Sequence, residues 1–129
     1  MERVLLDTSI LINLANGKQP ATTTVHDLVA RDADVCVCRV VISEFVTGLR
    51  PEQRSRWMIF FATLRFLSST STAAVRAGAY RHDVARRGRA LSTGDTLIAA
   101  IAYEAGAVVL TEDPKDFPRD DIVVRSLRA

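Results

Sequence analysis

Short apolar runs alternate along this chain with longer stretches in which apolar residues return every three or four positions. Val4-Leu5-Leu6 and Ala107-Val108-Val109-Leu110-Thr111 have the length and β-branched content of strands buried in a parallel sheet. Strands are predicted over residues 2–7, 34–38, 107–111 and about 122–125, with Phe66-Leu67 as a short addition. Between them the periodicity predicts helices. Asp7-Thr8-Ser9 opens one that runs to about Asn16 and closes at Gly17. A second covers about 22–32, with Val25, Leu28 and Val29 on its apolar face. The next, 40–49, stops at Gly48 and before Pro51, and about 52–65 carries Trp57, Met58, Phe60, Phe61 and Leu64. A long helix over 71–87 puts Ala73, Ala77, Tyr80 and Val84 on one stripe. The last, 94–105, begins at Ser92 or Thr93 and is closed by Gly106.

Strands alternating with helices of this length imply crossover units and a sheet covered on both faces. The expected fold is therefore α/β: a three-layer α/β/α domain around a central, mostly parallel sheet of four or five strands. No linker, repeat or low-complexity tract divides the chain, and its 129 residues read as one domain, 1–129. A hydrophobic fraction of 48% excludes a disordered chain. Seventeen basic residues against 15 acidic leave a net charge of +2, so no bulk cationic field announces a nucleic-acid partner. The three apolar residues before Asp7 are too few for a secretory core, and the longest apolar stretch, Leu97 to Tyr103, cannot span a bilayer. A cytoplasmic protein without a membrane partner is expected. Cys36 and Cys38 lie two apart on one strand, so both face one way, and they read as buried small apolar residues.

Four acids stand where such a fold could gather them: Asp7, Glu44, Asp95 and Asp113, with Asp116 as a fifth. Asp7 and Asp113 each lie just past a strand, on the edge where open α/β sheets bind ligands. Each acid has a plainer reading. Asp7 could cap the helix it precedes, and Ser9 could do the same or orient a water. Asp95, in Ser92-Thr93-Gly94-Asp95, suits the first turn of a helix. Asp113 and Asp116 flank Pro114-Lys115 in what reads as a turn. Glu44, in Val40-Val41-Ile42-Ser43-Glu44-Phe45-Val46, is expected to be buried and to be paired with an arginine, to coordinate a cation, or to stay protonated. The joint pattern carries more than any one acid. Two carboxylates about 4 Å apart repel by roughly 4 kcal/mol at an effective dielectric near 20, so four gathered together call for divalent metal.

LLDTSILINL, VISEFVTGL and LSTGDTLIAAIAYEAGAVVLTEDPKDF resemble the three motifs of the PIN-domain ribonucleases, and within them the small VapC-type toxins of type II toxin–antitoxin pairs. The similarity runs from residue 2 to about 117, and the third motif is the specific one. It implies that Asp7, Glu44, Asp95 and Asp113 hold Mg²⁺ (with Mn²⁺ able to substitute) and form the catalytic set, with Ser9 and Thr111 in support. Family members often carry asparagine or another polar residue where this chain has Asp113; here Glu112, Asp113 and Asp116 are all acidic. Asp113 is favoured as the direct fourth ligand, and Asp116 as an outer or second-metal ligand. Hard oxygen donors suit those ions, and neither His26 nor His82 has a ligand spacing.

The resemblance implies hydrolysis of RNA by metal-activated water, leaving 5′-phosphate and 3′-hydroxyl ends, with growth inhibition as the consequence. Transfer or ribosomal RNA is the implied substrate class. A cognate antitoxin that covers the site and a homodimer of the toxin are the implied protein partners. Arg81, Arg86, Arg87 and Arg89, or Arg50, Arg54 and Arg56, could line a basic rim for the phosphates. The helix from Trp57 to Phe61 reads either as core or as a groove for a partner helix. Two other readings stand beside this one. A PIN-like module could bind RNA or protein without cutting. An aspartate-nucleophile phosphatase would want an acid two residues after Asp7, where this chain has Ser9.

Overall fold

The computed structural model describes residues 2–127. Five parallel strands lie in the order β3-β2-β1-β4-β5: β1 Arg3–Leu6, β2 Asp34–Cys38, β3 Arg65–Leu67, β4 Ala107–Thr111 and β5 Val124–Ser126. Helices α1 Thr8–Ala15 and α2 Ala21–Ala30 connect β1 to β2; α3 Arg39–Thr47 and α4 Arg54–Ala62 connect β2 to β3; α5 Ser71–Arg86 and α6 Thr93–Ala105 lead to β4. The expected three-layer α/β/α architecture is therefore what the chain adopts. From β1 the chain moves outward to β2 and β3, and from β4 it moves the other way to β5. The β1–β4 pair is the place where strand order reverses, the position at which open α/β sheets bind ligands beyond the carboxyl ends.

The strands are buried as their sequence requires. Val4, Leu5, Leu6, Cys36, Cys38, Val109 and Leu110 are all at or below 1% exposure, so each strand is covered on both faces. Both cysteines are free thiols in this core, and burial pushes the Cys36 thiol up to about 11. Alanines 99, 100 and 102 bring α6 close to the sheet, and Gly106 ends that helix in the left-handed region at φ 63°. At the opposite, amino edge, Asp34 is held between two guanidiniums: Arg3 Nε at 3.1 Å and Arg65 Nε at 2.6 Å. The bond from Arg65 is the main cause of an Asp34 carboxyl below its usual range.

Three expectations change. The predicted helix over 52–65 divides into a 3₁₀ turn at Pro51–Gln53, α4, and strand β3, which begins one residue before Phe66. Val29 does not join Val25 and Leu28 in the core; it is 45% exposed, because α2 turns Ala21, Val25 and Leu28 inward at helical spacing. Glu44 is exposed rather than buried. Val41 and Phe45, four residues apart, take the inner face of α3, which leaves Ser43, Glu44 and Thr47 on the outer one.

Candidate active site at the carboxyl edge

Strand register places Leu6 beside Leu110, so the next residues of both strands, Asp7 and Thr111, emerge side by side. The Asp7 amide donates to the Leu110 carbonyl at 3.0 Å, which locks the two strand ends together. Asp7 is 5% exposed and stands at the cap position of α1, yet its side chain makes no capping bond. Instead Oδ2 accepts two hydroxyls, from Thr111 Oγ1 at 2.8 Å and Ser9 Oγ at 2.9 Å. Each hydroxyl is itself held by a backbone N–H of the loop after β4. Asp113 N–H donates to Thr111 Oγ1 at 2.9 Å, and Glu112 N–H donates to Ser9 Oγ at 3.0 Å. The loop that carries the late acids thus orients the first one.

Asp95 enters from the first turn of α6. The Ser92 hydroxyl caps that helix by accepting the Asp95 N–H at 3.0 Å, which fixes the backbone and leaves the Asp95 side chain at the helix mouth. Burial pushes the Asp95 carboxyl up to about 6; Ser92 opposes the shift, and the charges of Asp116, Asp7 and Glu44 reinforce it. Asp7 is raised too, chiefly by burial, with Thr111 and Ser9 opposing and the Glu44 charge adding to the rise. Three acids from separate elements therefore bear on Asp95, even though they are scattered over the chain. Asp113 begins the 3₁₀ turn Pro114–Asp116, and its carbonyl accepts the Asp116 N–H at 3.0 Å. Of the two late aspartates, Asp116 is the one whose charge registers at Asp95.

Glu44 reaches the same place from α3. Its Oε1 accepts the Thr8 hydroxyl at 2.6 Å. Its Oε2 lies 2.6 Å from the point a Cβ would occupy on Gly94. Among the described residues, none of the ion pairs engages Asp7, Glu44 or Asp95, so the arginine partner that Glu44 could have had is not there. Buried Glu112 Oε1 has no hydrogen-bond partner. The chemistry of the donors fits a hard divalent cation: they are carboxylate oxygens, and their charges help to raise the carboxyls of Asp7 and Asp95. Among the described residues no three acidic, histidine or cysteine side chains close to ion-binding spacing.

The arginines of the expected rim divide in two. Arg81 Nε donates to the Leu91 carbonyl at 2.8 Å, and Arg89 donates to the Lys115 carbonyl, tying the α5–α6 loop to the acidic turn. Arg86 closes the last turn of α5, and Arg87 follows it. Thr8 and Gly94 were not singled out by the sequence. Each adjoins an acid, but their contact with a third acid is visible only once α1, α3 and α6 are packed.

On the far side of Glu44 lies a cleft of about 420 Å³ lined by Asn16, Arg50, Gln53, Arg56 and Trp57. It shares Ala15, Arg56 and Trp57 with an apolar groove of about 610 Å³ between α1, α2 and α4, which His26, Val29 and Phe60 also line. No helix among the described residues is long and apolar enough to cross a membrane.

A model of the PIN domain matches residues 4–121. Among curated relatives, the tRNA(fMet)-specific endonuclease VapC of Shigella flexneri is 27% identical over 124 residues, covering 92% of each chain. Ribonuclease VapC2 of Rickettsia felis is 22% identical over 120 residues, covering 89% of this chain and 90% of its own. Among solved structures, DNA-bound VapBC from Salmonella typhimurium superposes with a TM-score of 0.79 at 25% identity, over 98% of this chain and 99% of its own. A match over nearly the whole chain, on the fold and with the acids placed as described, makes the conclusion plain: the chain belongs to the PIN-domain family.

Proposed function

We propose that this protein is a divalent-metal-dependent endoribonuclease and the toxin of a toxin–antitoxin pair. The observation that carries the reading is the edge-on pairing of Asp7 with Thr111. It buries a carboxylate without a basic partner, holds it by two hydroxyls, and sets it within electrostatic reach of Glu44 and Asp95. Relatives of nearly the same length bear the names of ribonucleases.

Asp7, Glu44, Asp95 and Asp113 would hold Mg²⁺, for which Mn²⁺ would substitute, with Asp116 as an outer or second-ion ligand. Bound there, the ion would supply a more acidic water and offset charge on the scissile phosphodiester. Ser9 and Thr111 keep Asp7 in one rotamer by donating to Oδ2, so its orientation is set before substrate arrives. With a carboxyl near 6, Asp95 changes protonation just below neutral pH. Arg86 and Arg87 supply exposed positive charge for the RNA backbone, while Arg81 and Arg89 tie down the neighbouring loop. Transfer or ribosomal RNA is the substrate class, and the working form is a homodimer.

The apolar groove between α1, α2 and α4 takes an amphipathic segment of the antitoxin, whose continuation follows the shared cleft toward Glu44. A basic side chain arriving there would occupy the acids and exclude the substrate. The deciding experiment incubates purified protein with total RNA in Mg²⁺ or Mn²⁺ and maps new 5′ ends. Discrete cuts bearing 5′-phosphate, absent in Asp7→Asn, support the reading; RNA that is bound but uncut in both ions overturns it.

A further inference from the structure

We propose that Thr8 and Gly94 are positioning residues for Glu44, jointly setting where its carboxylate lies relative to Asp7 and Asp95. The inference rests on the nuclease reading and names the residues that build its least protected corner. Glu44 is an exposed side chain with no ion-pair partner among the described residues, so no ion pair fixes its rotamer. A hydrogen bond and a space define its position instead. The Thr8 hydroxyl donates to Oε1 at 2.6 Å. On the other side Oε2 and Cδ lie 2.6 and 3.3 Å from the place where a Cβ on Gly94 would stand, with Val40 Cγ1 at 3.6 Å.

Gly94 is not required by its backbone. It is the second residue of α6, and the positive-φ glycines are Gly17, Gly88 and Gly106. At an ordinary helical position alanine is intrinsically the better residue. What glycine contributes here is room: the missing side chain leaves the volume that the Glu44 carboxylate fills. Thr8 directly follows Asp7, and Gly94 directly precedes Asp95. Each positioning residue is thus rigidly linked to one acid while touching another, and three helices are brought into one register by contacts that contain no acid–base pair.

The test compares Gly94→Ala, Thr8→Val and Thr8→Ser with the full-length wild-type chain. Two readouts are used: the Mn²⁺ dissociation constant measured with the metal alone, and the ¹³Cδ resonance of Glu44 in the metal-free chain. The atom in the way is the end of a flexible side chain, so Gly94→Ala displaces Glu44 while the fold and melting temperature hold. Mn²⁺ affinity is expected to fall about 10- to 100-fold in Gly94→Ala and Thr8→Val, with Thr8→Ser restoring it. In a Glu44→Ala background the Gly94→Ala change should cost nothing further, because the group it displaces is gone. Equal losses in both backgrounds, or a Glu44 resonance unmoved by either variant, overturn the proposal. A wild-type chain that neither binds Mn²⁺ nor cuts RNA sinks the nuclease reading alone, and the Glu44 resonance still decides the positioning.

Discussion

Thr111 donates its hydroxyl to Asp7 Oδ2 at 2.8 Å across 104 residues of sequence, and both groups are buried. Thr111→Val keeps the shape and removes the donor. A hydrogen bond to a charged group contributes about 1.5–3 kcal/mol, so the melting temperature should drop by several degrees in a chain of this size. Mn²⁺ affinity should fall as well, because Asp7 loses its orientation. Calorimetry on the variant reads both effects, and a variant indistinguishable from wild type would remove Thr111 from the site.

Asp95 gives the metal-free protein a pH dependence of definite sign. Its folded carboxyl titrates near 6 because burial disfavours the charge, against 3.8 when unperturbed. The unfolded chain therefore releases this proton first, and stability present at low pH is lost as pH rises through about 6. Between about pH 4 and 6 the metal-free melting temperature should decline as pH increases, and Asp95→Asn should flatten that slope. Asp34, whose carboxyl is lowered by Arg65 and Arg3, acts in the opposite sense only at more acid pH.

Added Mn²⁺ should reverse that loss. At 100 times the dissociation constant a bound ion contributes about 2.7 kcal/mol, or roughly 10 °C here. Asp7→Asn and Asp95→Asn should abolish the response. Asp95→Asn should also melt higher than wild type without metal at pH 7, since it removes a charge that its surroundings resist. A stabilised but metal-blind Asp95→Asn protein is the combined signature to look for in a thermal scan.

RNA affinity should depend on salt through Arg86 and Arg87. Each phosphate contact on a single strand contributes about −0.7 to the slope of log affinity against log salt, so removing both should flatten it by about 1.4. Arg81→Ala and Arg89→Ala should instead lower stability, because each loses a bond to a backbone carbonyl. Filter binding at several salt concentrations separates the two pairs.

Val29 lines the apolar groove proposed for the partner. A charge introduced by Val29→Asp on this half-exposed position should change stability by no more than about 0.5 kcal/mol. RNA cleavage should persist, while a co-expressed antitoxin should no longer silence it. Silencing that survives the substitution would move the partner elsewhere.

Much of the fold was legible because the apolar runs around Leu5 and Val109 are too short and too β-branched for anything but buried strands. Glycines 17, 48 and 106 punctuated the helices correctly. The acids were legible as candidates because Asp7 and Asp113 end such runs. What the sequence could not convey was side-chain direction on α3, where apolar neighbours at Val40, Ile42 and Val46 suggested a buried Glu44. Nor could it separate capping from orientation at Asp7, since the same Asp-Thr-Ser triplet serves either role until Thr111 arrives from another strand. Thr8 and Gly94 have no signal of their own; their part depends on where a distant carboxylate comes to rest.

The bracketing of Asp34 by Arg3 and Arg65 has a consequence for the molecule as a whole. Guanidiniums that could have neutralised an acidic group are committed at one end of the sheet, roughly a strand length from the crevice. The protein is slightly cationic on average, yet Asp7, Glu44 and Asp95 at its opposite rim have no ion-pair partner among the described residues. On the proposed reading that rim would draw in small cations, while a polyanion would be met first by the surrounding helices. Overall charge is thus a poor guide to what this surface attracts.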